Sequence, residues 1–148
     1  MRNYFDRTIR KAILIGLVAL AGCDKDDPTP FKAENLTSGT GKWKLSALTL
    51  TVRGQTEDAL DDCLIDDILY FIDDGTYQLQ LGVDKCDASE VDESGTWKIH
   101  SKQLIMEAYG EEPEAVIIKL LNETTFKTSL ELDIFGEPST ITATYTKQ

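Results

Sequence analysis

From Trp43 onward apolar residues recur at every second position, which is the period of a β-strand. Trp43, Leu45 and Ala47 share one parity, and Leu48, Leu50 and Val52 continue on the other; that slip predicts a bulge near Ala47 bending a long first strand. Runs at 68–72 and 76–83 flank Asp73-Asp74-Gly75, a hairpin turn in which glycine supplies the positive φ, and Tyr77, Leu79, Leu81 and Val83 alternate cleanly with polar residues. A further strand begins at Gly95-Thr96-Trp97-Lys98-Ile99 and turns around Ser101-Lys102 into 103–109. Runs at 115–121, 125–134 and 139–147 follow, the last with Ile141, Ala143 and Tyr145 on one parity. These are eight strands joined mostly by short turns. Short connections favour antiparallel neighbours and closure removes exposed edges, so the pattern predicts an all-β, eight-stranded antiparallel up-and-down barrel.

The helical candidate is 57–67 (EDALDDCLIDD), after the first strand. Leu60, Leu64 and Ile65 would supply a narrow apolar side, while Asp58, Asp62 and Asp66 would share one face and repel at i,i+4. One short helical segment, a turn or two over a barrel mouth, is expected there.

The start of the chain follows a different pattern. Arg2, Arg7, Arg10 and Lys11 precede the apolar run Ala12 to Leu20, the layout of a secretory signal peptide. At 1.5 Å per residue the run covers only ~14 Å of a ~30 Å hydrocarbon core, too little for a permanent span. It closes on Leu20-Ala21-Gly22-Cys23, which resembles a bacterial lipobox. That resemblance implies cleavage of residues 1–22 and lipidation of Cys23 as the new N-terminus, and two or more acyl chains hold a protein to a bilayer without a protein span. Asp24, Lys25, Asp26 and Asp27 follow, resembling the export signal that sends some Gram-negative lipoproteins to the cell surface. Residues 23–39 have little apolar periodicity and are read as lipidated cysteine and flexible acidic tether, leaving 40–148 for the barrel domain. The expected location is the cell envelope, at the outer membrane and facing outward.

Charge narrows the partners. The 148 residues hold 15 Lys and Arg against 26 Asp and Glu, a formal −11. Residues 1–22 carry four of the bases and one acid, so the remainder has 11 against 25, a net −14. Nucleic acid and anionic membrane surfaces both reward Lys and Arg, so neither is expected as a partner beyond the lipid anchor.

Gly41-x-Trp43 at the start of the first strand resembles the G-x-W motif of lipocalins, and Gly95-Thr96-Trp97 echoes it. The ordered set Trp43, Cys63, Asp66-Asp67, Phe71, Asp74-Gly75-Thr76-Tyr77, Cys86 and Gly95-x-Trp97 is similar to the lipocalin-like domain of Gram-negative bacterial lipoproteins, over roughly residues 40 to 147. There is no T-D-Y motif and no arginine on the last strand. The resemblance implies binding of a small apolar or amphipathic ligand, with no contact residue singled out. In physical terms Trp43 would plug one end of the barrel, and Phe71, Tyr77 and Trp97 would fill its interior.

Export to an oxidising compartment lets Cys63 and Cys86 pair, the two thiols left once Cys23 is lipidated; a redox dithiol or metal thiolates would ordinarily show C-x-x-C spacing. The acids Asp58, Asp61, Asp62, Asp66 and Asp67 read either as a solvated face or as carboxylates for Ca²⁺, without the D-x-D-x-D-G spacing. His100 has no nucleophile motif beside it, and neither G-x-S-x-G nor a phosphate-binding glycine loop occurs. No catalytic residue, metal site or cofactor is therefore expected. The alternative to ligand binding is a solid barrel acting as a non-enzymatic adaptor or accessory subunit, with an envelope protein as partner.

Overall fold

An alternating strand buries its apolar face either against a second sheet or by curling round on itself, and this chain takes the second route. The computed structural model describes residues 30–148. The signal peptide read at 1–22, Cys23 and the stretch Asp24, Lys25, Asp26, Asp27 lie outside the described residues. Strands β1 (Lys42–Val52), β2 (Gln55–Asp58), β3 (Ile68–Phe71), β4 (Thr76–Gln80), β5 (Glu93–His100), β6 (Gln103–Ala108), β7 (Glu114–Leu121), β8 (Thr125–Ile134) and β9 (Glu137–Lys147) form one antiparallel sheet. From β3 onward each strand pairs with the next, and β9 returns to β1 from Trp43↔Lys147 to Val52↔Ser139, closing an eight-stranded barrel. The ninth strand adds no position: β2 and β3 share one edge of β1, β3 against Lys42–Lys44 and β2 against Thr49–Val52.

The register shifts between Leu45 and Ala47, the bulge the parity slip predicts. It keeps the barrel wall continuous, because Leu48, Leu50 and Val52 then point to the same inner side as Trp43. On the outer side of the same wall stand Thr49, Thr51, Thr140, Thr142 and Thr144, polar and β-branched as a solvated strand face favours.

The short helical segment expected in 57–67 is a single 3₁₀ turn at Asp62–Leu64, while Glu57 and Asp58 belong to β2, paired with Leu50 and Thr49. Repulsion along the aspartate face disfavours a longer helix, while the edge of β1 above β3 offers backbone partners. One expectation is corrected: the tether does not run free to Gly39. A short helix α1 (Glu34–Thr37) lies across the barrel end, with Leu36 fully buried and its carbonyl accepting the Trp43 indole N–H at 2.8 Å. Lys147 also holds it, donating to the Asn35 and Ser38 carbonyls.

The up-and-down course puts α1 and the turns at 72–75, 101–102 and 122–124 at one end, and the connections at 53–54, 81–92, 109–113 and 135–136 at the other. The fourth strand ends at Gln80 instead of continuing to Val83. Beyond it the amide of Gly82 donates to Asp67 Oδ1 at 2.8 Å and that of Val83 to Asp66 Oδ2 at 2.7 Å, so these backbone groups leave the ladder for carboxylates.

Candidate functional site

The α1 end is sealed by aromatic packing. Trp43, Phe71 and Phe126 are at most 1% exposed. Phe126 meets Trp43 edge-on at 5.9 Å and Phe71 at 6.2 Å, and stacks on Tyr145 at 5.4 Å, while Trp97 meets Phe71 edge-on at 5.3 Å. Burial pushes the Tyr145 phenol up to about 12. Gly41 makes this seal possible: it sits at φ +65°, and a β-carbon there would lie 2.4 Å from the Phe71 carbonyl oxygen. Gly95 is the other glycine singled out in the sequence; a β-carbon on it would lie 2.0 Å from the Glu107 carbonyl oxygen, so only glycine lets β5 and β6 approach. Trp97 is half-buried and donates its indole N–H to Ile72 O at 3.2 Å. Over the outer face of Trp43 stands Lys147 Nζ, 4.6 Å from the ring centroid, donating also to the carbonyls of Asn35 and Ser38 at 2.9 Å each. The last strand thus supplies as lysine the cation it lacks as arginine.

The opposite end is different. Leu48, Leu50, Val52, Leu130, Leu132 and Ile141 face inward by register, yet each is only half-buried, whereas Leu104 and Ile118 lower down are at most 2% exposed. Across from that aliphatic wall, a cleft of about 90 Å³ opens among Tyr77, Leu104, Met106, Ala108, Val116 and the glutamates Glu93, Glu111, Glu112 and Glu114. Glu93 and Glu114 stand on the inward parity of β5 and β7, with Gly95 and Trp97 and with Val116 and Ile118 respectively. Tyr77 is 2% exposed and donates its hydroxyl to Glu93 Oε1 at 2.5 Å. Burial, reinforced by that carboxylate, raises the Tyr77 phenol above its usual range. Glu114 is held above the usual carboxylate range by burial first and then by the charges of Glu93 and Glu111.

This arrangement has a signed pH consequence. A carboxyl raised in the folded state binds more protons there than in the unfolded chain, so stability rises as pH falls from neutrality toward the ordinary glutamate value of 4.5. Asp74, held low mainly by the Thr76 hydroxyl, works in the opposite sense, but only as pH falls through 3.8. Glu114→Gln is therefore expected to raise the thermal midpoint at pH 7 and to flatten the gain the parent chain shows on going to pH 5. Melting curves across that range check it, and an unchanged profile would remove Glu114 from the account.

The remaining candidates fall elsewhere. Cys63 and Cys86 form a disulfide, Cα atoms 5.2 Å apart, tying the β2–β3 connection to the β4–β5 loop. The aspartates do not converge: Asp58 accepts from its own Leu60 amide, while Asp66 and Asp67 hold loop amides. Among the described residues no three His, Cys, Asp or Glu side chains gather to hold a metal ion. His100 is exposed at the sealed end, paired with Gln103 on β6. Sequence reasoning passed over Glu93, Glu114 and Met106; the signal available was an acid standing on an otherwise apolar parity.

A closed antiparallel barrel sealed at one end by a tryptophan and half-open at the other is a single-chain up-and-down barrel of the kind that leaves room for a small ligand. More specifically, the chain belongs to the lipocalin-like domain family, whose model matches residues 40–128. Among solved structures it is similar to a bovine odorant-binding protein, a deswapped triple mutant, with 14% identity over 72% of this chain and 71% of that one and a TM-score of 0.41. No curated protein sequence matches the chain.

Proposed function

We propose that this is a lipid-anchored cell-envelope protein, displayed at the outer membrane surface, that binds a small apolar or amphipathic ligand in the open end of its barrel. The observation that carries the binding reading is the half-buried inner wall of Leu48, Leu50, Val52, Leu130, Leu132 and Ile141. A solid barrel would bury these side chains as it buries Ile118; here water reaches apolar surface that a ligand would cover. The cleft across from the wall measures about 90 Å³, so it takes one end of a ligand while the rest lies along the aliphatic wall. Its glutamates favour a ligand whose inserted end is uncharged or cationic. The anchor rests on Leu20-Ala21-Gly22-Cys23, and it agrees with the chain entering the described fold at Pro30, beside α1 at the sealed end. The mouth then faces away from the bilayer.

The test is titration of the full chain with an uncharged solvatochromic naphthalene dye. Saturable enhancement is expected, weakened about tenfold by Leu132→Gln, a change near the loss of one buried aliphatic contact. Absence of saturable binding, or binding indifferent to Leu132, would overturn the reading. Labelling with a radioactive fatty acid, abolished by Cys23→Ala, checks the anchor separately.

A further inference from the structure

The large apolar residues that the fold leaves outside are not scattered. Val83, Val91, Tyr109 and Phe135 are 92, 78, 68 and 90% exposed, whereas the two others among the described residues, Ile65 and Leu120, are 38 and 41% exposed. All four stand on connections of the open end: Val83 and Val91 between β4 and β5, Tyr109 between β6 and β7, Phe135 between β8 and β9. Single exposed apolar residues are ordinary on any surface; a set confined to the loops of one end is not.

Phe135 adds a second anomaly. It occupies the first position of a two-residue hairpin turn with φ +56°, followed by Gly136 at φ +82°. Turns of that type favour asparagine, aspartate or glycine at the first position, and a bulky side chain in the left-handed region is uncommon. The turn would be better made by asparagine, and the ring gains no burial from the barrel. Arg53 takes the same conformation before Gly54, but its side chain is paired with Glu137, whereas the Phe135 ring is 90% exposed.

The rim is also acidic. Residues 81–92 and 109–113 carry Asp84, Asp87, Glu90, Asp92, Glu111 and Glu112 against the single base Lys85, whose ammonium donates to Glu90 O at 2.8 Å. Arg53, on the neighbouring β1–β2 turn, is paired with Glu137. A surface of this charge repels a second copy of itself and an anionic bilayer, and it attracts a cationic partner.

We propose that the open-end rim, with Phe135 as its anchor, docks a basic amphipathic segment of another protein. The acids supply attraction and orientation, and the four apolar tips supply the area that a partner's apolar face covers. The choice of a protein over the membrane rests on that charge, since Asp84, Asp87, Glu90, Asp92, Glu111 and Glu112 repel an anionic surface and attract a basic one.

The experiment measures binding of a fluorescently labelled, amidated Leu/Lys amphipathic peptide to the full chain by anisotropy. Phe135→Asn is the main variant, because it suits the turn and preserves the fold, as an unchanged or raised melting temperature would verify. Saturable binding is expected to weaken about tenfold in Phe135→Asn, more in the double variant with Val83→Ser, and to fall with added salt. Dye binding at the mouth should stay unchanged in Phe135→Asn. Four results would each overturn the proposal: equal binding by parent and Phe135→Asn, equal binding of a Leu/Glu peptide, a concentration-dependent dimer abolished by Phe135→Asn, or Phe135-dependent binding to phosphatidylcholine vesicles. Loss of dye binding alone, with peptide binding intact, would remove the small-ligand reading and leave the docking surface standing.

Discussion

Replacing Trp43 with alanine is expected to lower the stability of this domain by about 3–5 kcal/mol, the range for truncating a buried tryptophan. The residue is fully buried, and three separate interactions end with it. Phe126 loses the ring it meets at 5.9 Å, the Leu36 carbonyl loses its 2.8 Å donor, and Lys147 loses the face above which its ammonium rests at 4.6 Å. The cavity opens under α1, whose docking depends on Leu36, so the helix should loosen together with the barrel end. Trp43→Phe separates the contributions: it keeps most of the packing and leaves an acceptor without its partner, at a cost of about 1–3 kcal/mol. Denaturant unfolding measures both, and Trp97, the second of the two tryptophans, remains as the fluorescent reporter. Since small domains have about 5–15 kcal/mol in all, the alanine variant should be partly unfolded at modest temperature. A loss below ~1 kcal/mol would mean that the aromatic seal contributes little.

The second large effect concerns the disulfide. Cys63→Ser with Cys86→Ser should cost about 3 kcal/mol, the chain-entropy value for a loop closed across a separation of 23 residues. Where the loss appears matters more than its size. The bridge holds the β2–β3 connection against residues 81–86, and the same two segments are joined by Asp67 accepting from the Gly82 amide and Asp66 from those of Val83 and Asp84. Asp66 packs so closely that a β-carbon on Gly82 would lie 1.8 Å from its carboxyl carbon, and its Oδ1 is buried without a hydrogen-bond partner. Such a contact holds only while the two segments are kept together. Without the bridge, hydrogen exchange at Gly82 and Val83 should rise well beyond the global change, whereas β8 and β9 should show only the global change. Uniform acceleration across the barrel would show that the carboxylates hold the loop unaided.

Much of the barrel was legible because strand alternation is a local signal. Each residue's parity is set by the pleat, so Trp43, Tyr77, Trp97 and Tyr145 could be placed on their faces before any pairing was known, and the bulge at Ala47 declared itself as a slip in that parity. The pairing of Cys63 with Cys86 was legible from the expected export and the cysteine count. Three features were not legible for reasons that are equally physical. The segment 57–67 has a weak helical pattern, and the outcome depended on whether an edge of β1 stood free to receive Glu57 and Asp58. Leu36 is one apolar residue in a polar stretch, and nothing local shows that Trp43 will need its carbonyl. Asp66 and Asp67 look like the rest of an acidic run until the β4–β5 loop presents its amides to them.

The sequence by itself determined the all-β character, the strand parities, the tight turns, the acidic surface and the set of aromatics available for a core, since each of these depends on residues close together in the chain. Only the tertiary structure decided how the Trp43 end of the barrel is sealed. That depends on β9 meeting β1, with Lys147 opposite Trp43, and on α1 closing over both. It also decided that Leu48, Leu130 and Ile141 line a half-open wall, that Glu93 and Glu114 share a cleft with Tyr77, and that Phe135 and three other apolar tips crowd one rim. Openness, shared burial and a common rim are properties of surfaces assembled from distant strands, and no local pattern in the chain encodes them.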